Sequence, residues 1–386
     1  MLFFSEVKVE NTVAGSALLY RLFESLDPQS MLIYEFDVLK HSKHERKLNG
    51  VQYHYLRALS FLQANRFSKR VHVLLSLCII PLVVIYLKRK IRNQPLTNIV
   101  TVTHGIGWLI AYKLSKKLNI PLILILHDEV SFTYRVPGFC QQFMISSFAS
   151  CYRSAKKRFC VSPYMEEYYF HKFGVRGDVL YPFRSSTSIE YKSIPVRVRQ
   201  AKQSIVFGYA GSIATPSYGR QLALLANALN DKGGKLIIFS SIDIAFMRRH
   251  GLLFNNVEIK SFLPTNDLVS YFRQNVDALF VPMAFDQETD VAFQLNFPSK
   301  LTDYTLAGLP LVISGPSNSS AIKWARDNTE VAITIGKESL NEFTVCIDRL
   351  LMDAELRIQL AEKSLNIGNH YFSFAKNSRL FENIFL

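Results

Sequence analysis

Short apolar runs alternate with segments of helical periodicity along most of this 386-residue chain, and the alternation pauses near Pro182–Gln203. Leu2–Glu6, Met31–Phe36, Asn98–Val102, Pro121–Leu126, Phe159–Ser162 and Asp178–Tyr181 read as strands. Between them, Ala17–Leu26 and Trp108–Leu118 repeat their apolar residues at helical spacing. Strands that alternate with helices imply a mostly parallel sheet closed by crossover connections. After a mixed, charged stretch the rhythm restarts. Ser204–Tyr209, Lys235–Phe239, Val257–Ser261, Ala278–Pro282 and Leu311–Ile313 are the next strands, Gln221–Leu229 and Leu268–Arg273 are helices, and the tail from Leu340 is mainly helical. The expected fold class is α/β, with two Rossmann-like domains facing across a cleft. The first covers 1–185, a linker 186–203, the second 204–365, and a helical tail at 366–386 packs back on the first. Parallel sheets bind ligands outside the C-terminal ends of their strands, so those ends are where functional residues are sought.

At 49% hydrophobic and 20% charged residues, the chain can bury two sizeable cores and is not globally disordered. Its formal charge of +14 suits an anionic ligand, an anionic membrane surface or nucleic acid. Nucleic acid is the weakest of these, because the basic residues flank an apolar run and no recognition motif is present. Cys78, Cys140, Cys151, Cys160 and Cys346 form no CxxC pair, which points to reduced structural thiols and a cytoplasmic setting. The opening Met-Leu-Phe-Phe has no basic n-region, so no signal peptide is expected.

Val71–Leu87 is nearly all apolar, preceded by Lys69-Arg70 and followed by Lys88-Arg89-Lys90 and Arg92. Its length is at the lower limit for a membrane span, Pro81 interrupts it, and a crossing here would divide the sheet. The favoured reading is a helical hairpin or a helix at an anionic membrane surface, its cations on lipid headgroups. A buried core helix and a true span are the alternatives.

Chemistry-bearing residues gather at predicted strand ends. His127-Asp128-Glu129 directly follows Pro121–Leu126, and His104-Gly105 follows Asn98–Thr103. A histidine there can donate to a carbonyl, hydroxyl or phosphate oxygen, and Asp128 can orient it; isolated His-Asp pairs are also often structural. Gly15 opens the first helix after a polar loop, and Gly208, Gly211 and Ser212 form a comparable loop in the second domain, where residues 211–219 read as loop. Neither has GxGxxG spacing, and no GKS or GKT exists, which weighs against a nicotinamide enzyme and an NTPase. Arg220 stands where it can reach a phosphate or simply face solvent. Asp286, Glu288 and Asp290 follow a strand and read equally as solvated loop acids. No HExxH or Cys/His cluster suggests a metal. In Phe297–Ser314 a helix starts at a Pro-Ser turn and stops at Gly308, placing Ser299, Lys300 and Asp303 at a helix N-terminus, where free N–H groups hold phosphates.

The Gly15 loop, Leu124–Glu129, Phe159–Tyr169, Phe207–Ser212, Asp277–Pro282 and the 297–310 segment, in that order, resemble a GT-B glycosyltransferase of the family-four type. The PSKLxDYxxAGxP form of 298–310 is similar to bacterial polysaccharide-assembly members. The resemblance covers most of the chain. It implies a metal-independent, retaining transfer from a nucleotide-diphosphate sugar to a saccharide or polyprenyl-linked acceptor, in exopolysaccharide or cell-surface polysaccharide synthesis, by a protein peripheral to the inner face of the cell membrane. It implies catalytic roles for His127 and Asp128. Donor contacts would come from Gly15, Gly211, Ser212, Arg220, Ser299, Lys300 and Asp303, and acceptor-side contacts from His104 and Glu129. Asp303 matches the second glutamate of the family's Glu-x7-Glu element, while the first falls on Leu295. The Arg/Lys pair that grips the diphosphate falls on Ser212 and Tyr218, so Lys300 or Arg220 must supply that charge. Related readings are a nucleotide-sugar epimerase on the same fold and an inactive membrane-associated scaffold. The oligomeric state is left open.

Overall fold

The computed structural model describes all residues except 12–13, 37, 39–43, 58–65, 131–137, 214, 288–289 and 386, and omits the side chains of Ala14, His44, 66–73 and Ile244. Glu288, one of the loop acids considered above, therefore lies outside the described residues. The chain divides into two compact units. Unit 1 comprises Met1–Pro182, Leu295–Phe297 and Ala375–Leu386, and unit 2 comprises Phe183–Gln294 and Pro298–Phe374.

Unit 1 is built on a parallel seven-stranded sheet of order β3-β2-β1-β4-β5-β6-β7. The strands are β1 (Leu2–Ser5), β2 (Leu32–Phe36), β3 (Gln52–Leu56), β4 (Ile99–Val102), β5 (Leu122–Leu126), β6 (Lys157–Cys160) and β7 (Asp178–Val179). Its helices are α1 (Ala14–Phe23), α2 (Arg66–Lys90), α3 (Gly107–Leu118), α4 (Gly138–Ser154) and α5 (Pro163–Phe173). β1, β2, β4 and β5 are buried along their whole length, as expected of strands covered on both faces. Trp108, Phe148, Tyr152, Tyr169 and Phe173 pack as an aromatic cluster under α3–α5.

Unit 2 has a parallel six-stranded sheet of order β10-β9-β8-β11-β12-β13. Its strands are β8 (Val206–Ala210), β9 (Lys235–Phe239), β10 (Val257–Lys260), β11 (Ala278–Pro282), β12 (Leu311–Ser314) and β13 (Ile333–Ile335). Its helices are α6 (Pro216–Asn230), α7 (Ile244–Arg249), α8 (Thr265–Asn275), α9 (Val291–Leu295), α10 (Lys300–Ala307), α11 (Ser320–Asp327), α12 (Leu340–Met352) and α13 (Ala354–Tyr371). A final helix, α14 (Phe374–Glu382), falls almost wholly in unit 1, where Phe381 packs on Phe23 and Phe159. In each sheet the strand order reverses beside the first strand, at β1/β4 and at β8/β11. Such a reversal opens a crevice at the carboxyl ends of the strands.

Three readings of the sequence need amendment. The segment 186–203, taken for a linker, belongs to unit 2: Ile194 and Val198 are buried, and Arg357 donates to the carbonyls of Val198 and Gln200. Residues 366–371, assigned to a separate tail, are the end of α13 and also belong to unit 2. Val71–Leu87 is neither a hairpin nor fully buried; it lies in the single helix α2, which continues through Pro81. Pro81 faces outward, so the carbonyl that loses its N–H partner can turn to water. Ile80, Val83, Val84 and Leu87 are buried on one face of α2, whereas Leu75, Leu82, Ile85 and Tyr86 are exposed on the other. Among the described residues, no helix is long and apolar enough to cross a membrane.

Candidate active site

In unit 1, the loops after β1, β4 and β5 enclose a cavity of about 390 Å³ lined by Glu6, Gly15, Ser16, His104, His127 and Asp128. Four residues singled out from the sequence, Gly15, His104, His127 and Asp128, thus share one pocket. Gly15 sits so close to the imidazole that a Cβ there would lie 3.7 Å from His127 Nδ1. Burial pushes His127 down to about 4, with nearby His104 adding to the shift, so His127 is a neutral imidazole at pH 7. His104 is lowered by burial, offset by Asp128; Asp128 is raised by burial, offset by His104. A neutral imidazole can donate one hydrogen bond without burying a charge beside a ligand.

Glu129 takes a different position. Its side chain is buried and accepts from the Tyr169 hydroxyl at 3.4 Å, and its N–H donates to Asn296 Oδ1 at 2.8 Å. It is part of the wall behind the pocket rather than its lining. Sequence reading overlooked Glu6. Its carboxylate accepts from the N–H groups of Ile106 and Gly107 at 2.6 and 2.9 Å and so caps the start of α3. Gly105 makes this possible: with φ at +57°, a Cβ there would stand 1.9 Å from Glu6 Oε2.

In unit 2 the focus is Lys300, the first residue of α10. Its ammonium stands 4.2 Å from the centre of the Tyr209 ring and 5.9 Å from that of Tyr218. A Cβ on Gly211, whose φ is +138°, would lie 3.5 Å from Lys300 Nζ. No carboxylate pairs with this ammonium among the described residues. Burial pushes it down to about 7 from its ordinary 10.5. Tyr304 fixes the end of β8 by accepting from Ala210 N at 2.6 Å, and Tyr209 donates to the Ser212 carbonyl at 2.6 Å. Ser299 occupies the N-cap of α10 in helical backbone, φ −60° and ψ −23°, and its hydroxyl makes no capping hydrogen bond. Asp303 is one turn further on, half-buried, with Thr302 Oγ1 donating to it at 3.3 Å.

Arg220 is not at this point. It lies in the second turn of α6, because Thr215 caps that helix and Pro216 begins it, ahead of the predicted start. Its guanidinium donates to Glu338 at 2.6 Å and pairs with Asp286 at 3.7 Å. Asp290 caps α9 through Ala292 N. Exposed Ser212 opens instead onto a cavity of about 380 Å³ beyond β8 and β9, flanked by Ser240, Asp243, Phe246 and Phe262. The other overlooked residue is Arg184. It is buried and donates to the Thr302 carbonyl, Thr305 Oγ1 and Asn369 Oδ1, tying α10 to α13. Among the described residues, no group of three or more His, Cys, Asp or Glu is placed to hold a metal.

No family model matches the chain, and no curated protein matches it. Solved structures do. HepE from Anabaena in complex with UDP and glucose aligns at a TM-score of 0.66 and 13% identity, covering 100% of this chain and 98% of that one. Sucrose-phosphate synthase from Thermosynechococcus elongatus aligns at 0.67 and 14%, covering 100% and 97%. The lipopolysaccharide outer core galactosyltransferase WaaB, in its apo form, aligns at 0.63 and 16%, covering 100% and 99%. These likenesses, with two parallel sheets each flanked by helices, define the fold as GT-B.

Proposed function

We propose that this protein is a retaining glycosyltransferase that moves a sugar from a nucleoside diphosphate donor to a saccharide or polyprenyl-linked saccharide. The observation that carries this reading is Lys300: a half-buried cation with no carboxylate partner among the described residues, at a glycine loop and a helix N-terminus on the C-terminal side of a parallel sheet. A partly desolvated amine with no carboxylate beside it is harder to charge than one in water, and a diphosphate is a ligand that would offset that cost. The GT-B fold and the UDP seen in HepE support the choice of a nucleotide sugar. Where the family resemblance expects cations at Ser212 and Tyr218, Lys300 reaches the same loop from α10 and stands over the Tyr218 ring. Arg220 keeps its pairing with Glu338.

In this reading Lys300, Ser299 and the α10 N-terminus hold the diphosphate, Asp303 binds the donor's ribose or sugar, and the cavity at Phe246 and Phe262 takes the nucleoside end. In the unit 1 pocket His127 is the hydrogen-bond donor assigned to the substrate, with Asp128 and His104 as its polar neighbours and Glu129 supporting the wall. The acceptor hydroxyl enters on the face from which the nucleoside diphosphate departs. Catalysis then comes from stabilising charge on the leaving phosphates and from positioning, with no metal required. Polysaccharide assembly at the inner face of the cell membrane is the setting this chemistry and the basic α2 region suit.

The test is turnover. Incubation with a nucleotide sugar and an oligosaccharide or polyprenyl-linked acceptor should release nucleoside diphosphate and form a glycoside whose anomeric configuration, read by proton NMR, equals that of the donor. An inverted product would overturn retention. Interconversion of the nucleotide sugar without any acceptor would make it an epimerase.

A further inference from the structure

Between Glu45 and Asp128 the chain runs for 82 residues without an aspartate or glutamate, and thirteen of those residues are lysine or arginine. The stretch contains α2 and α3, which pack against each other. On α2, the exposed residues Leu75, Cys78, Leu82, Ile85 and Arg89 recur at spacings of three and four, which puts them on one stripe of the helix. Leu82, at its centre, is 67% exposed. Lys113, Lys116 and Lys117 are exposed on α3. The next helix, α4, packs on α3, has no acidic residue either, and exposes Phe139 (79%) and Phe143 (47%). Where α2 and α3 end, Lys88, Arg89, Arg92 and Lys117 surround a cavity of about 650 Å³ floored by Ile85 and Leu118. None of these four cations has an ion-pair partner among the described residues.

We propose that the outer face of α2–α4 is a seat for an anionic phospholipid bilayer, with the cavity between the ends of α2 and α3 receiving a headgroup phosphate. This deepens the membrane setting suggested above and rests on that part of the reading. Cations in the last turns of α2 and α3 complement the helix dipoles in any case, but that does not account for the apolar stripe beside them. A second copy of the chain is a poor occupant, since the face offers no acid to meet its own lysines and arginines. Nucleic acid would meet the cations but gain nothing from Leu75, Leu82 and Ile85. An anionic bilayer satisfies both: acyl chains take the apolar side chains and phosphates take the cations.

Flotation with vesicles of phosphatidylcholine alone and with about one-third phosphatidylglycerol tests the proposal on the full-length protein. Wild type should float with the anionic vesicles only. Triple reversal of Lys88, Arg89 and Arg92 to Glu should weaken binding by about 10²-fold or more, at roughly fivefold per cation. Leu82→Asp should weaken it with the charges intact. An environment-sensitive dye on Cys78, in a Cys140→Ser background, should shift to the blue on binding. Equal binding to both vesicle types, no binding to either, or a dimer in sedimentation that Leu82→Asp dissolves would each overturn the seat. Soluble nucleotide-sugar binding, measured in the same variants, separates the two claims. If it persists without vesicle binding, the seat alone fails; if vesicle binding persists without it, the transferase reading alone fails.

Discussion

The ammonium of Lys300 stands 4.2 Å from the centre of the Tyr209 ring, and neither residue is near the other in sequence. Lys300 begins a helix and Tyr209 lies near the end of a strand, so the pair joins the two elements that a phosphate-binding loop needs. An aromatic face stabilises a cation modestly and leaves its remaining protons free for another acceptor.

Donor binding should therefore take up a proton. Burial pushes Lys300 down to about 7, and a bound diphosphate favours its charged form. Above pH 7 affinity should fall as pH rises, and calorimetry at pH 8 in buffers of different ionisation enthalpy should report uptake approaching one proton. Lys300→Arg, charged throughout, should abolish the uptake. The same depression links to stability with a defined sign. The unfolded chain keeps this proton to about 10.5 and the folded chain loses it near 7, so this group makes stability rise with pH across that window. Lys300→Met should flatten the rise in denaturation midpoint.

Arg184→Ala should destabilise unit 2 and loosen α10. The substitution removes the donors to the Thr302 carbonyl, Thr305 Oγ1 and Asn369 Oδ1. Stranding buried acceptors costs about 1–3 kcal/mol each, so a loss of about 3 kcal/mol is expected in urea unfolding. Donor affinity should fall in variants still folded, because Lys300 and Asp303 ride on the same helix. Unchanged stability would contradict the role assigned to Arg184.

Gly105→Ala should cost about 1–3 kcal/mol and weaken the capping of α3, since the methyl group meets the Glu6 carboxylate at 1.9 Å on a backbone with φ of +57°. Gly233→Ala is the control: φ is +63°, but nothing lies within 4 Å of the added Cβ, so only the backbone term of about 1 kcal/mol applies. Thermal unfolding of the two variants should separate the steric part from the conformational part.

His127→Ala should lower turnover by about 10²-fold while leaving the fold intact, the usual effect of losing one positioned donor. Because His127 is already neutral down to about pH 4, its titration should not shape the activity profile between pH 5 and 8. Addition of a chelator should leave turnover unchanged. A chelator-sensitive enzyme would contradict the metal-independent mechanism.

Most strands and their parallel sense were legible, because β1, β4, β5, β9, β11 and β12 are largely apolar runs bounded by polar turns, whereas the strand order was not. The strands that escaped lie at sheet edges. β3 reads Gln-Tyr-His-Tyr-Leu and keeps water on one side, and β13 has only three residues. The early start of α6 was hidden by Gly219, which resembles a loop glycine. In the structure it is a packing glycine, since a Cβ there would meet the His250 ring at 2.5 Å. At the candidate site, Gly15, His104, His127, Asp128, Gly211 and Lys300 were readable from their places after strands or at a helix start. Arg184 was not, because its partners Thr302 and Asn369 lie more than a hundred residues away and its neighbours are serines. The pairing of Arg220 with Glu338 was hidden for the same reason: long-range ion pairs leave no local pattern.

The most direct test of the central claim is ligand-detected NMR with UDP-, GDP-, ADP- and dTDP-sugars against wild type, Lys300→Ala and Asp303→Ala, each shown to be folded. Selective binding of one nucleotide class by wild type, weakened at least tenfold in both variants, is the expected result. Binding of no donor by the folded wild type, or equal binding by Lys300→Ala, would contradict it.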